Sequence, residues 1–398
     1  MSKTPVISEV VQGPPRSYGA IVWGQLKKRP SAMISLAIIV IIAVLATLAP
    51  FIGGDIPIRW VEKGEVSWPL FHYLTNTEYD VMAGLVLAAA VPLTARLLKR
   101  RARTFGFSPV TRAILLHGAV WLVLAATLAV VRTPEQRYGG YLQRAEEADS
   151  AWFPLVAYPR VPGYAELANQ NLSPSREHPL GTGRNGDDVL IGVLNGARTA
   201  TTIGFVAVGI SDILGVLLGA LSGFFGKWID ILLMRLAEIF MCIPRLVLII
   251  IIITVIPSWV PALWAVVAVI GVTSWTDPYR LMRAELLRIR TEDYITAARA
   301  LGIPTWRLLI RHAIPNGLAP ILVGATFGIA GAVFLEAALA FLNLVQTPSW
   351  GEMLNDGRQH LEYWWVWSSA GAAIFLTVFV YNLLGEAIRD AIDPKLKI

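Results

Sequence analysis

Residues 277–316 read DPYRLMRAELLRIRTEDYITAARALGIPTWRLLIRHAIPN, and the reading of the whole chain grows from them. Arg280, Arg283 and Arg290 lie among apolar residues at helical spacing, so the stretch starts as an amphipathic helix. Gly302 and Pro304 then break it. Just before the break, Tyr294, Ile295, Ala297, Ala298 and Leu301 form a short helix with small and apolar residues on one side. Small side chains let a partner's groove approach the backbone, and Gly302 supplies a turn that other residues enter poorly. This pattern suits a docking peg. An ordinary helix lying on a membrane surface would suit the flanking arginines as well.

Working outward, composition decides what such a peg is attached to. Of 398 residues 55% are hydrophobic and 16% charged, with a mean hydropathy of +0.57, which leaves too little charge for a water-solvated surface. Lys and Arg exceed Asp and Glu by six, an excess too small and scattered for a nucleic-acid binder. The single cysteine, Cys242, rules out an intramolecular disulfide, a Cys-based zinc site and an iron–sulfur cluster. Abundant apolar residues exclude disorder, and an aperiodic glycine distribution excludes a collagen-like repeat. An all-α integral membrane protein remains.

A hydrocarbon core of about 30 Å needs roughly 20 apolar helical residues. Between Arg29 and Asp55 the run SAMISLAIIVIIAVLATLAPFI is long enough to span, and it exceeds a signal-peptide core without an A-x-A site after it. Residues 81–95 span only if Arg96 and Lys99 snorkel; 113–131 carries only a neutral His117. Between them LLKRRARTFGFSPVTR is basic without one acid, which places that loop inside and makes the pair a hairpin entering from outside. Residues 132–197 have no long apolar run and read as extracytoplasmic. Further spans are expected at 199–225, 236–256, 259–279, 313–336 and 363–386, eight in all, with both termini cytoplasmic. The loop from Arg280 to Arg311 then falls inside, in keeping with its seven arginines against Glu285, Glu292 and Asp293.

No catalytic constellation emerges. GTGRNG, Gly181 to Gly186, satisfies G-x-G-x-x-G but follows SREHPL rather than an apolar strand, and Trp228 after Gly226 and Lys227 stands where a P-loop needs Ser or Thr. H-E-x-x-H and G-x-S-x-G are absent, and His72, His117, His178, His312 and His360 are isolated in sequence. Gly215, Gly219 and Gly223 line one helix face, as do Gly324 and Gly328, and both sets read as packing features. Asp212 and Arg245 sit within apolar stretches and should face protein or water. Glu238 and Arg245, seven apart, are expected on one helix face, with Arg235 and Glu238 paired at i, i+3. Asp212 has no obvious partner; Glu336 reads as an interfacial group rather than a proton relay. These four, Asp212, Glu238, Arg245 and Glu336, are the candidate pathway or intramembrane charges.

At 293–315 the chain closely resembles the EAA loop of ABC importer permeases: E-A-A, three residues, Gly, nine residues, I-x-L-P. Thr296, Ala297, Ala298, Gly302, Ile314 and Pro315 occupy its places, with Thr296 for the acidic residue and His312 for the first Ile. In that family the loop forms the coupling helix that docks on an ATPase subunit, which implies that role for Asp293, Tyr294, Ala297, Ala298, Leu301, Gly302 and Pro315. SYGAIVWGQLKKRPSAMISLAIIV, HPLGTGRNGDDVLIGVLNGART, TPSWGEMLNDGR and NLLGEAIRDAIDP extend the likeness to the C-subunit permeases of dipeptide and oligopeptide importers, with Asp187 where the family has Arg. GGDIPIRWVEKGEVSWPLF and the segment from 151 to 181 look like the extended outer segment of the microcin C branch.

The resemblance implies a type I importer transmembrane domain of six core helices plus an inserted two-helix hairpin at 79–132. Its parts would be 1–52, the cytoplasmic N-terminus and first span; 53–198, the outer segment with the hairpin; and 199–398, the permease core with its coupling loop at 280–312. It implies a multi-pass protein of the bacterial cytoplasmic (inner) membrane, moving peptides or peptide-like solutes inward beside a second homologous permease as a heterodimer. Two ATPase subunits would bind ATP and Mg and hydrolyse the ATP; an extracytoplasmic substrate-binding protein would deliver the cargo. No catalytic residue, cofactor or metal is expected in this chain, and no nucleic-acid partner. An ion-gradient-driven secondary transporter is the alternative, but it calls for an inverted internal repeat, and none is found.

Overall fold

The computed structural model describes residues 18–100, 170–257 and 259–392, most of 141–156, and scattered positions between 112 and 127. A short helix α1 (Tyr18–Leu26) leads into α2 (Pro30–Ile52), the expected first span with proline at its start. Then come two short strands, β1 (Arg59–Glu62) and β2 (Glu65–Ser67), and helices α3 (Pro69–Tyr73) and α4 (Asn76–Arg100). A third strand, β3 (Ser150–Trp152), pairs antiparallel with β1, giving the order β2-β1-β3. This sheet is an addition to the expected all-α architecture. Its signal was VEKGEVS: Lys63 and Gly64 both take positive φ, the two-residue hairpin turn that a right-twisted pair prefers.

The core follows: α5 (Val189–Phe225), α6 (Lys227–Cys242), α7 (Arg245–Val255), α8 (Ala262–Thr273), α9 (Thr276–Ile289) and α10 (Asp293–Ala300). After α11 (Thr305–Leu308), a π turn over Leu309–Ala313 and α12 (Ile314–Gly317) come α13 (Ala319–Phe341), α14 (Trp350–Gln359) and α15 (Trp364–Ile392). Among the described residues α2, α5, α13 and α15 are long and apolar enough to cross a membrane; with two bent pairs counted as one span each, within α4 and across α6–α7, the number is six. The expected span at 113–131 lies largely outside the described residues.

Three expected spans differ in form. Helix α5 begins ten residues before the predicted 199, because Arg198 is not a lipid-facing charge: it is almost buried and ion-paired to the fully buried Glu78 at 2.6 Å. The expected span at 236–256 is two helices meeting at 88°. Pro244 lacks an N–H and pushes Ile243 into an extended conformation, φ −94° and ψ 126°, so the helix cannot run through. Glu238 and Arg245 therefore do not share a helix face. The expected span at 259–279 is likewise divided between the 12-residue α8 and the start of α9. At about 1.5 Å per residue, α8 alone is too short to cross.

Helix α5 is the axis, packed by α2, α8, α9, α13 and α15. At one end Ala197 and Ala200 meet Ala46 of α2, Val333 of α13 and Trp350 of α14, and Val189 meets Trp365 of α15. At the other, Ala220 and Phe224 join Met282, Leu286 and Ile289 of α9 and Ile295 of α10. Arg29 and Asp390 pair at 2.5 Å, and Leu26 and Ala32 pack on Ala387 and Ala391. The start of α2 and the finish of α15 thus lie together, away from the end where α5 starts.

The glycine stripe explains the fit of α5 on α9. A Cβ on Gly215 would lie 2.5 Å from Pro278 Cγ; on Gly219, 2.6 Å from the Tyr279 carbonyl; on Gly223, 2.5 Å from the Arg283 carbonyl. These helices touch backbone to backbone. At Gly324 and Gly328 an added Cβ would meet side chains rather than backbone, Leu281 at 3.2 Å and Val208 at 3.4 Å, a looser packing than that of the α5 stripe, and both glycines line a cavity.

Candidate functional site

The peg is built from the inside. Ile295 is completely buried against Met282, Leu286, Ile289 and Leu308, which fixes α10 across the end of α9. Arg288 spans the junction, pairing with Glu285 at 2.6 Å and Glu292 at 2.5 Å. Asp293 occupies the first turn, where a negative charge suits the helix dipole. Thr296, in the place of the family acid, turns its hydroxyl back to the Glu292 carbonyl at 3.3 Å.

The end of α10 is a Schellman closure. Ile303 N–H donates to the Ala298 carbonyl at 3.2 Å and Gly302 N–H to that of Arg299 at 3.0 Å, with Gly302 at φ +77°. Nothing lies within 4 Å of where a Gly302 Cβ would be. Leu301 is 82% exposed and Tyr294 43%, and Ala297 is exposed between them. Asn316 donates to the Tyr294 hydroxyl at 3.3 Å, bringing the exposed Pro315 next to the peg. Asp293, Tyr294, Ala297, Leu301, Gly302 and Pro315 are exposed at the end where Phe224 lies, whereas Ala298, also predicted to dock, packs partly against the core beneath them.

A half-buried polar lock ties this end to the bundle. Arg283 of α9 grips Asp230 of α6 with two bonds, 2.5 and 2.7 Å, while Ser222 of α5 bonds both Asp230 and Tyr279. Such bidentate pairing fixes three helices in one register. Sequence reasoning missed it, since the partners lie 53 positions apart.

The second feature is a cavity of about 390 Å3 between α5, α7, α9 and α13, lined by Asp212, Arg245 and Asp277 among apolar side chains. Arg245, expected to share a face with Glu238, pairs instead with Asp277 at 2.5 Å. Glu238 pairs with Arg235 at 2.6 Å on an exposed face, as the spacing predicted. Glu336 is 2% exposed and accepts from the Thr347 hydroxyl at 3.2 Å, outside the cavity.

At the opposite end GTGRNG serves as a helix entry rather than a nucleotide loop. Gly181 and Gly186 both take φ of +76°, and Asp188 caps α5 by accepting from Leu190 and Ile191 N–H. His178, isolated in sequence, meets Asp188 at 2.9 Å. Beside this turn Glu352 of α14 is pushed up to about 7, first by burial and then by the neighbouring Asp356 and Asp187. Burial likewise raises Asp187 and Asp356. No group of His, Cys, Asp and Glu able to hold a metal occurs among the described residues.

The apolar helices define a membrane-spanning protein, and its relatives are transport components. Residues 215–398 match the model of the binding-protein-dependent transport system inner membrane component, and 17–56 match the N-terminal transmembrane domain of oligopeptide transport permease C. The chain is 39% identical to the dipeptide transport system permease protein DppC of Alkalihalophilus pseudofirmus, over 59% of this chain and 78% of that one. It is 36% identical to the oligopeptide transport system permease protein OppC of Bacillus subtilis, over 58% and 76%, and 41% identical to the di/tripeptide permease DppC of Pseudomonas aeruginosa, over 55% and 72%. A structure of the MetNI methionine ABC transporter in inward-facing conformations aligns at a TM-score of 0.43 with 19% identity, covering 51% of this chain and 96% of that one. The chain belongs to the dipeptide and oligopeptide permease C family of ABC importers. It is a multi-pass transport permease subunit, not an enzyme, and it works with ATPase and binding-protein partners. The matches do not distinguish the microcin C branch.

Proposed function

We propose that this chain is one half of the translocation pore of an importer for peptides or peptide-like solutes in the bacterial inner membrane, with both termini in the cytoplasm. A second, homologous permease forms the other half. Two ATPase subunits bind ATP and Mg from the cytoplasmic side, and a substrate-binding protein docks outside. ATPase closure pushes on α10 through Tyr294, Ala297 and Leu301, with Asp293 at the helix start and Gly302 and Pro315 shaping its far edge. The polar lock of Arg283, Asp230 and Ser222 passes that push to α5 and α6, and the bundle rocks between inward-facing and outward-facing states. Asp212 and Arg245 face the pathway; Glu238 serves as a surface ion pair and Glu336 as a buried structural acid.

The observation that carries this reading is the peg itself, anchored by a completely buried Ile295 and ending in a Leu301 that is 82% exposed. An apolar tip on a fixed stem suits a groove in a neighbour. The test is Gly302→Trp. The space at the Gly302 Cβ position is open, and a non-glycine residue at its φ of +77° meets backbone strain of about 1–3 kcal/mol. Transport should stop while the variant inserts and accumulates in the membrane. Normal uptake would refute the docking role.

A further inference from the structure

Taking the importer reading as its basis, we propose that the cavity between α5, α7, α9 and α13 holds a short zwitterionic peptide, with Asp212 receiving its ammonium group and Arg245 its carboxylate.

The charges around the cavity are unbalanced in a way that calls for such an occupant. Asp212, half-buried on α5, makes no hydrogen bond or ion pair among the described residues. An unpartnered acid on a wall that includes Val208, Ile270 and Phe327 is costly to keep unless something polar visits it. Elsewhere on the lining Arg245 pairs with Asp277 at 2.5 Å, and Asp277 is also claimed by Arg280, which lies outside the cavity, at 3.2 Å. One cavity therefore presents a lone negative group and, from another helix, a guanidinium whose counter-ion is shared.

A solute with a free amine and a free carboxylate would satisfy both at once. A volume of about 390 Å3 lies near the lower end of ligand sites, roughly 300–1,000 Å3, and suits two or three residues rather than a long peptide. Gly331, with nothing within 4 Å of where its Cβ would be, keeps part of the α13 wall open where such a solute would lie. Apolar lining with a few placed charges fixes the ends of the solute and leaves its side chains unread, which permits varied cargo.

Direct binding separates this inference from the transport reading. The complete permease and ATPase assembly is placed in lipid nanodiscs without the binding protein, and binding of labelled trialanine and N-acetyl-trialanine is measured. The native assembly should bind trialanine about tenfold or more tighter, the value of one hydrogen bond to a charged group. Asp212→Asn should erase that preference, and Asp212→Glu should keep most of it. ATP-driven uptake of trialanine by the full importer, binding protein included, is followed in parallel, with membrane level and basal ATP hydrolysis reporting intact assembly. Equal binding of the two peptides, a preference that survives Asp212→Asn, or no trialanine binding overturns the inference. If uptake persists in any of those cases, the importer reading stands; if the native importer takes up no peptide, that reading falls too.

Discussion

Replacing Leu301 with Ala should weaken the grip of the ATPase on this chain without weakening the fold. At 82% exposure the side chain gives almost nothing to the stability of its own protein, and a substitution there should stay within about 0.5 kcal/mol. If the partner's groove covers it, truncation removes three carbons from an apolar contact. At about 0.8 kcal/mol per buried carbon that is roughly 2.4 kcal/mol, or about fifty-fold in affinity. Titration of labelled ATPase onto permease pairs in nanodiscs would read this directly, with coupled ATP hydrolysis as a second signal. Ile295→Ala is the internal control. Ile295 is buried within this chain, so its truncation should cost about 2–5 kcal/mol of permease stability and lower the amount of folded protein. Unchanged ATPase affinity for Leu301→Ala, in protein present at native levels, would refute the peg.

Arg198→Met should remove one ion partner from the fully buried Glu78 carboxylate and lower the unfolding temperature in detergent; the double change with Glu78→Gln should recover part of the loss. For Glu352, raised to about 7 from 4.5, the folded chain holds its proton more firmly than the unfolded one. Its contribution to stability therefore falls as pH rises between those values, and Glu352→Gln should flatten thermal unfolding profiles measured from pH 5 to 8.

What was legible in the sequence was whatever depends on one run of neighbouring residues. Helix α2 stands where its charge-free run is, and the α10 peg and its Gly302 closure were readable because helix, cap and turn are local. The beginning of α5 was missed because Arg198 looks like a boundary until its distant partner Glu78 is seen. The break at Pro244 was readable in principle: a proline preceded by a β-branched residue outweighs apolar content, however long the run. The expected shared face of Arg245 and Glu238 was lost with that break, and Asp277, 32 positions away, pairs with Arg245 instead. Glu336 illustrates the opposite limit, since depth along a helix says nothing about which side its neighbours cover.

The pairing of β1 with β3 has a consequence for how this chain is put together. Because Arg59 lies opposite Trp152, the two ends of the segment between 68 and 149 are brought to one place, while Leu70, Leu74 and Glu78 near its start stay packed on or paired with the rest of the chain. Closing a loop there costs little more for a long excursion than for a short one. Sequence can thus be added or removed beyond Glu78 within that segment, in evolution or by an engineer, while the transporting core keeps its route and the Glu78–Arg198 pair.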